Sequence, residues 1–397
     1  MLIGLFAGTS FFKYKFKPPL VAALQPKEKA PGVSILRPLK GVDANLYDNL
    51  ASSFTLVYPN FEVLFSVEDE SDPAVAIVND LMQNFPEVDA KLVIGASSLG
   101  VNPKVNNLGT SYSLAKHEIV WILDSNIRTT PYTLARAVDC LTNDPNVGLV
   151  HHVPIGVSAE TFGTRIEQLY LNTAHAKVYT MINVLRIGSC VIGKSMLFRK
   201  RELVQVGGLA YFGKYMSEDN MIGLTIWNSG FSHVIPADVV YQNLGSGGLK
   251  EYFMRRARWT RIRKFTVLAA TLLEPFTECM FNGVIGAFGM SVLFGFPSLS
   301  FFAAHVICWF LIDLLFGLVV NTSMIVDNFP LFLSAWFLRE LTSFPCYIYA
   351  FCGNHVEWRG RRYQLCPDGT VIPDSFENSK LSFVSSSSES VPLFNKS

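Results

Sequence analysis

The sequence predicts two unlike halves: an α/β domain with a mostly parallel sheet flanked by helices, then an α-helical transmembrane domain. Two observations carry this. Short runs of branched apolar residues alternate with helix-like segments over residues 32–240, the pattern of a parallel sheet. From Cys279 to Val356, by contrast, the only Asp, Glu, Lys or Arg residues are Asp313, Asp327, Arg339 and Glu340. The chain of 397 residues is 50% apolar and only 16% charged, against about 25% charged in an ordinary soluble domain.

Taken in order, residues 1–30 begin with the apolar stretch MLIGLFAGTSFF. It falls short of the roughly 20 residues a span needs, so it reads as the remnant of a longer anchor or as an interfacial segment. A basic linker follows, with Lys13, Lys15, Lys17, Lys27 and Lys29. Residues 31–264 then make the α/β domain. Strands are predicted at VSIL (33–36), FEVLFSV (61–67), KLVIGA (91–96) and EIVWIL (118–123). Asp72–Pro73 and Thr130–Pro131 each supply a cap and a first-turn proline to open a helix.

Ligands of such sheets bind beyond the carboxyl ends of the strands, and two strands end there in acid. FEVLFSV runs into Glu68, Asp69, Glu70 and Asp72, and EIVWIL into Asp124-Ser125-Asn126. A third acidic pair, Glu218-Asp219, follows Ser217 at a helix start. Any one of these is also ordinary loop or capping chemistry; three at one rim suggest a site. Separated carboxylates beside lysine and arginine suit transfer from a nucleotide-activated donor. One carboxylate takes the acceptor's proton, and arginines grip phosphate. The chain has no GxGxxG after a strand and no HExxH, so dinucleotide and zinc-protease readings find no support.

KEYFMRRARWTRIRK (250–264) holds seven Lys or Arg residues and one acid, immediately ahead of the apolar half. It fits either a membrane-surface anchor or an anion-binding piece of the site. Residues 265–279 read as an interfacial helix, and 280–355 as about three membrane helices near 280–296, 299–320 and 331–352. Basic residues at both membrane-proximal ends of 13–264 place that region in the cytosol. Seven cysteines without a CxxC pair fit a reduced compartment. Three spans would put the C-terminus in the lumen, yet Arg359, Arg361 and Arg362 in the basic segment 356–381 favour the cytosol. The serine-rich stretch 382–397 is expected to be disordered.

The ordered set RPLKG (37–41), ED (68–69), PKVNNL (103–108), DSNIR (124–128), SEDN (217–220) and RxxRW (255–259), with membrane helices behind it, resembles the processive-type family 2 glycosyltransferases. More closely it resembles the ceramide glucosyltransferases of glycosyltransferase family 21, over about residues 31–365. The resemblance implies a GT-A domain facing the cytosol at a multi-pass Golgi membrane. It implies transfer of glucose from UDP-glucose to the primary hydroxyl of ceramide, with inversion. Glu68 and Asp69 would meet the nucleotide, Asp124 the metal-bound diphosphate, and Asp219 would be the base. Arg255, Arg258 and Trp259 form the (Q/R)xxRW motif; Lys40, Lys104 and Asn107 match positions near nucleotide or donor sugar. His175 borders the acceptor or packs as a structural histidine. Many GT-A enzymes carry Asp-x-Asp where this chain has Asp124-Ser125-Asn126, so Mg²⁺ or Mn²⁺ is expected at Asp124 and Asn126, bound partly through the diphosphate. Arg256, Arg261, Arg263 and Lys264 are expected along anionic lipid. The expected partners are ceramide, UDP-glucose and the bilayer, with no nucleic acid. A different lipid acceptor, polyprenyl phosphate or sterol, and a silent lipid-binding scaffold stay open.

Overall fold

The computed structural model describes residues 4, 6, 25–358 and 360–374. The serine-rich stretch 382–397, Arg359 and most of the segment 1–30 lie outside the described residues. In chain order the strands of the first half are β1 (Val33–Pro38), β2 (Phe61–Val67), β3 (Ala90–Ile94), β4 (Ile119–Leu123) and β5 (Ile127–Arg128). They continue as β6 (Val147–His151), β7 (Val153–Ala159), β8 (Ser195–Arg199), β9 (Ser232–Val234) and β10 (Val239–Gly245). Seven form one sheet in the order β3-β2-β1-β4-β8-β6-β9, and β5-β10-β7 form a second.

The apolar strands are explained by burial on both faces. Alternate residues point to opposite sides: Ile35, Val63, Phe65 and Trp121 enter one core, Leu36, Leu64, Val120 and Ile122 the other. The first core is closed by helices α1 (Leu46–Phe54), α2 (Ala74–Asn84) and, after α3 (Pro103–Leu114), by α4 (Thr133–Asn143). Helix α2 starts after Pro73 as predicted, because the Asp72 carboxylate accepts from Ala74 N at 2.9 Å and from Gly41 N at 2.9 and 3.0 Å. Helix α4 starts beyond its Thr130–Pro131 signal, the Thr130 amide being bound by the Thr133 hydroxyl at 3.0 Å.

The sheet is mixed. Strands β1–β4 pair in parallel and β6 pairs with β9 in parallel, but β8 is antiparallel to both β4 and β6. The reason is the route of the chain. After β7 it leaves through α5 (Phe162–Tyr170), a wide π-type turn (Leu171–His175) and α6 (Ala176–Leu185). It returns at the rim where β4 ends, so β8 can only run back down.

After α7 (Glu218–Asn228) and β10 comes α8 (Leu249–Thr266), which holds the whole basic cluster. The interfacial segment is a short helix α9 (Leu268–Leu273) and a 3₁₀ turn (Glu274–Thr277), and the three apolar helices are α10 (Cys279–Phe294), α11 (Ser298–Val320) and α12 (Phe329–Phe351). Among the described residues α11 alone is long and apolar enough to cross a membrane. The segment Leu268–Thr277 together with α10 qualifies as a second, bent by 73°. The expectation of three spans therefore reduces to one or two, because α10 is short and α12 carries charges at its middle.

Those charges belong to a buried network. Asp313 pairs with Lys177 of α6 and accepts from Trp336 Nε1 at 2.9 Å; Arg339 lies 2.7 Å from Glu340 and 3.2 Å from Glu278. Arg256 lies 3.7 Å from both Glu274 and Glu278, and Arg263 is 2.7 Å from Glu274. Arg261 donates to His355 O at 2.9 Å and Lys264 to Phe351 O at 2.7 Å. The expectation that these four cations lie along lipid is thus corrected: they fasten α8 to protein. Beyond α12, strands β11 (His355–Trp358), β12 (Arg361–Leu365) and β13 (Val371–Pro373) form a small sheet that bridges back to Tyr215 through Thr370. The post-helical segment therefore packs against the α/β domain.

Candidate active site

A cavity of about 460 Å³ opens at the carboxyl ends of the strands. Asp124 projects from the end of β4 on a loop held from beneath by Arg37, which is fully buried. The Arg37 guanidinium donates to Asp124 O at 3.0 Å and Ile127 O at 2.8 Å, and to Ser53 Oγ at 2.8 Å. Two ammonium groups meet the Asp124 carboxylate: Lys104 Nζ at 2.8 Å from Oδ1 and Lys194 Nζ at 3.0 Å from Oδ2. Lys194 also donates to Asn126 Oδ1 at 3.2 Å, and Lys104 lies 2.9 Å from Glu218. Burial would raise the Asp124 carboxyl, but the two lysines hold it below the usual carboxylate range. Burial would likewise lower Lys104, yet Asp124, Glu218 and Asp219 keep its ammonium above its ordinary value.

Asp219 stands at the start of α7, its Oδ1 accepting from Asn220 N at 2.8 Å. Burial first, then the neighbouring Glu218 carboxylate, push its pKa up to about 6, with Lys104 pulling the other way. Room for it comes from Gly193, where a Cβ would lie 2.1 Å from Asp219 Oδ2.

The opposite wall is aromatic. The His175 ring lies 4.3 Å from that of Tyr179, 5.6 Å from Tyr170 and 6.5 Å from Trp259. Burial, reinforced by Arg256 and Arg263, pushes His175 down to about 3, so the imidazole is neutral near pH 7. Arg255 pairs with Glu167, and both Arg255 and Arg258 line the cavity. Four buried polar atoms on the wall have no hydrogen-bond partner: Asn107 Oδ1, His175 Nδ1, Ser217 Oγ and Asn220 Nδ2. Groups of that kind are costly to leave unmade and mark where a hydroxyl-rich ligand would bind.

Lys104, Asn107, Asp124, Asn126, His175, Asp219, Arg255, Arg258 and Trp259 thus share one cavity. Lys40, Glu68 and Asp69 lie on the same rim outside its wall: Lys40 and Glu68 form an exposed pair at 2.7 Å, and Asp69 binds Ser71 N at 2.8 Å. As folded, Asp124 and Asn126 do not fit as cation ligands, since each oxygen in question already meets an ammonium group. Among the described residues no cluster of three His, Cys, Asp or Glu side chains could hold a metal ion.

The model for glycosyl transferase family 21 matches residues 1–371. The chain belongs to this family. Its curated relatives include one from Komagataella phaffii named ceramide glucosyltransferase, 33% identical over 93% of this chain and 89% of its own length. Ceramide glucosyltransferase of Gibberella zeae is 31% identical (94% and 90% covered), and ceramide glucosyltransferase 3 of Caenorhabditis elegans 31% (86% and 74%). A solved mannosyltransferase from Pyrobaculum calidifontis covers 82% of this chain and 95% of its own at 17% identity and a TM-score of 0.47, a likeness too loose to bear on the site. Within this family 21 chain the sequence reading missed Lys194, Gly193 and the supporting role of Arg37. The signal for the first two was GSCVIGKS (188–195), a full match to GxxxxGK[ST] that runs into strand β8 and not a helix and so lacks the context of a phosphate loop.

Proposed function

We propose that the chain transfers glucose from UDP-glucose to the primary hydroxyl of ceramide with inversion, giving β-glucosylceramide and UDP. The donor would lie on the strand ends, its diphosphate toward Lys104, Lys194 and Arg258. The observation that carries the reading is a single cavity whose one wall is ionic, at Asp219, Lys104 and Asp124, and whose other is aromatic, at His175, Tyr179 and Trp259. That suits a charged donor meeting a lipid head group. Asp219, its basicity raised by burial, removes the acceptor proton. The acceptor oxygen attacks the anomeric carbon from the face opposite UDP, and the guanidinium and ammonium groups offset the charge left on the departing diphosphate. The Golgi membrane, with the α/β domain toward the cytosol, is the proposed location, supported by the basic flanks of the apolar helices.

The test is transfer from radiolabelled UDP-glucose to a fluorescent ceramide by detergent-solubilised protein, with Asp219→Asn alongside. A β-glucosyl product lost in the variant supports donor, acceptor and base together. Intact UDP-glucose binding with no product from ceramide would redirect the reading to another lipid acceptor.

A further inference from the structure

The antiparallel pairing of β8 with β4 continues one step past the strands: Asp124 N donates to Lys194 O at 3.1 Å. Lys194 is therefore the cross-strand neighbour of Asp124, and its ammonium sits between the Asp124 carboxylate and the Asn126 amide oxygen. An Asp-x-Asp pair would present a divalent cation at that place. With Asn at position 126 the pair carries one negative charge instead of two, and a monovalent ammonium answers it. Two of the three Lys194 N–H groups are spent on these oxygens. The side chain is about a quarter exposed at 26% and lines the cavity, which leaves one N–H for an anion in that volume. Lys104 brings a second ammonium, 15% exposed and tied to Asp124 and Glu218.

We propose that Lys194, seconded by Lys104, does the work of a divalent cation at this site, so that the donor's diphosphate is held and its departure assisted by lysine. This rests on the nucleotide-donor reading above. In the transfer step the bond between the anomeric carbon and the β-phosphate oxygen breaks and its electron pair stays on that oxygen. The acceptor oxygen forms the new bond, and its proton goes to Asp219. The added negative charge on the diphosphate falls beside two ammonium groups in a poorly solvated cavity, where such contacts are strong.

The experiment is calorimetric titration of the full chain in detergent with UDP and, in parallel, GDP, in chelator and in excess Mn²⁺. We expect the wild type to bind UDP in chelator with an affinity within twofold of that in Mn²⁺. Lys194→Met lowers it about 10- to 100-fold at unchanged melting temperature, and Lys194→Arg keeps most of it. The pair Asn126→Asp with Lys194→Ala restores two carboxylates and makes binding depend on Mn²⁺. Loss of wild-type binding in chelator with recovery in Mn²⁺ overturns the proposal, as does unchanged affinity in Lys194→Met. Because the lysines meet the diphosphate and not the base, a chain that prefers GDP would refute the UDP reading while the variant-to-wild-type ratio still reports on Lys194.

Discussion

The guanidinium carbon of Arg256 lies 3.8 Å from the centroid of the Tyr170 ring. This stacking buries an arginine that the sequence alone leaves free to lie on a membrane surface. Replacing it with Met leaves Glu274 and Glu278 short of a cation, and breaking a buried pair in this way costs roughly 3 kcal/mol. Arg256→Met should therefore lower the melting temperature in detergent by several degrees, read by scanning fluorimetry. A lipid-anchoring role would instead weaken binding to anionic vesicles and leave melting unmoved.

Turnover should rise with pH through about 6. The Asp219 carboxyl is raised above its ordinary value by burial and Glu218, so it holds its proton below about 6 and is a competent base only above it. A pH profile of kcat with ceramide tests this. Asp219→Asn should lose about 10²- to 10⁴-fold in kcat while binding UDP as before.

Gly193→Ala would drive a methyl group against Asp219 Oδ2. A displacement of that size costs about 10²-fold in rate with little change in fold. Wild-type kcat in this variant would show that the carboxylate position is not critical.

Arg258→Lys keeps the charge but loses the planar fork. Turnover should fall about 10²-fold and membrane association should not change, as vesicle flotation would show. A flotation defect at full activity would reverse the assignment.

His175 is neutral at working pH, with Nδ1 unpartnered in the cavity. His175→Leu should raise the KM for ceramide roughly tenfold, the scale of one lost hydrogen bond, and leave the Kd for UDP alone. An unchanged KM would make it a packing residue.

The sequence reading located the elements well where one local rule governed them. β2 runs Phe61–Val67 as its apolar pattern predicts, and α11 spans Ser298–Val320. Asp124, Asp219 and the RxxRW residues could be named because each stands in a short motif. What escaped depended on partners distant in sequence. The direction of β8 is set by the 35-residue excursion 160–194 through α5 and α6, so the meeting of Lys194 with Asp124, separated by 70 positions, has no local signature. The basic cluster on α8 looked lipid-facing because its partners, Glu274 and Glu278, lie on a segment that folds back only in three dimensions. Arg37 stands in the RPLKG motif, but its supporting role shows only once its carbonyl acceptors are assembled around it.

Gly193 and Lys194 are neighbours with opposite duties, one serving by the absence of a side chain, the other by the length of its own. Their allocation is fixed by the pairing of Ser195 with Leu123. Deleting one residue just ahead of β8 would set Gly193 in the place of Lys194 and Ile192 in the place of Gly193, a bulky group against the base and nothing against the diphosphate. Length variation in this chain should accordingly be tolerated in the loops away from the rim, and refused in the few residues between α6 and β8 that deliver this pair.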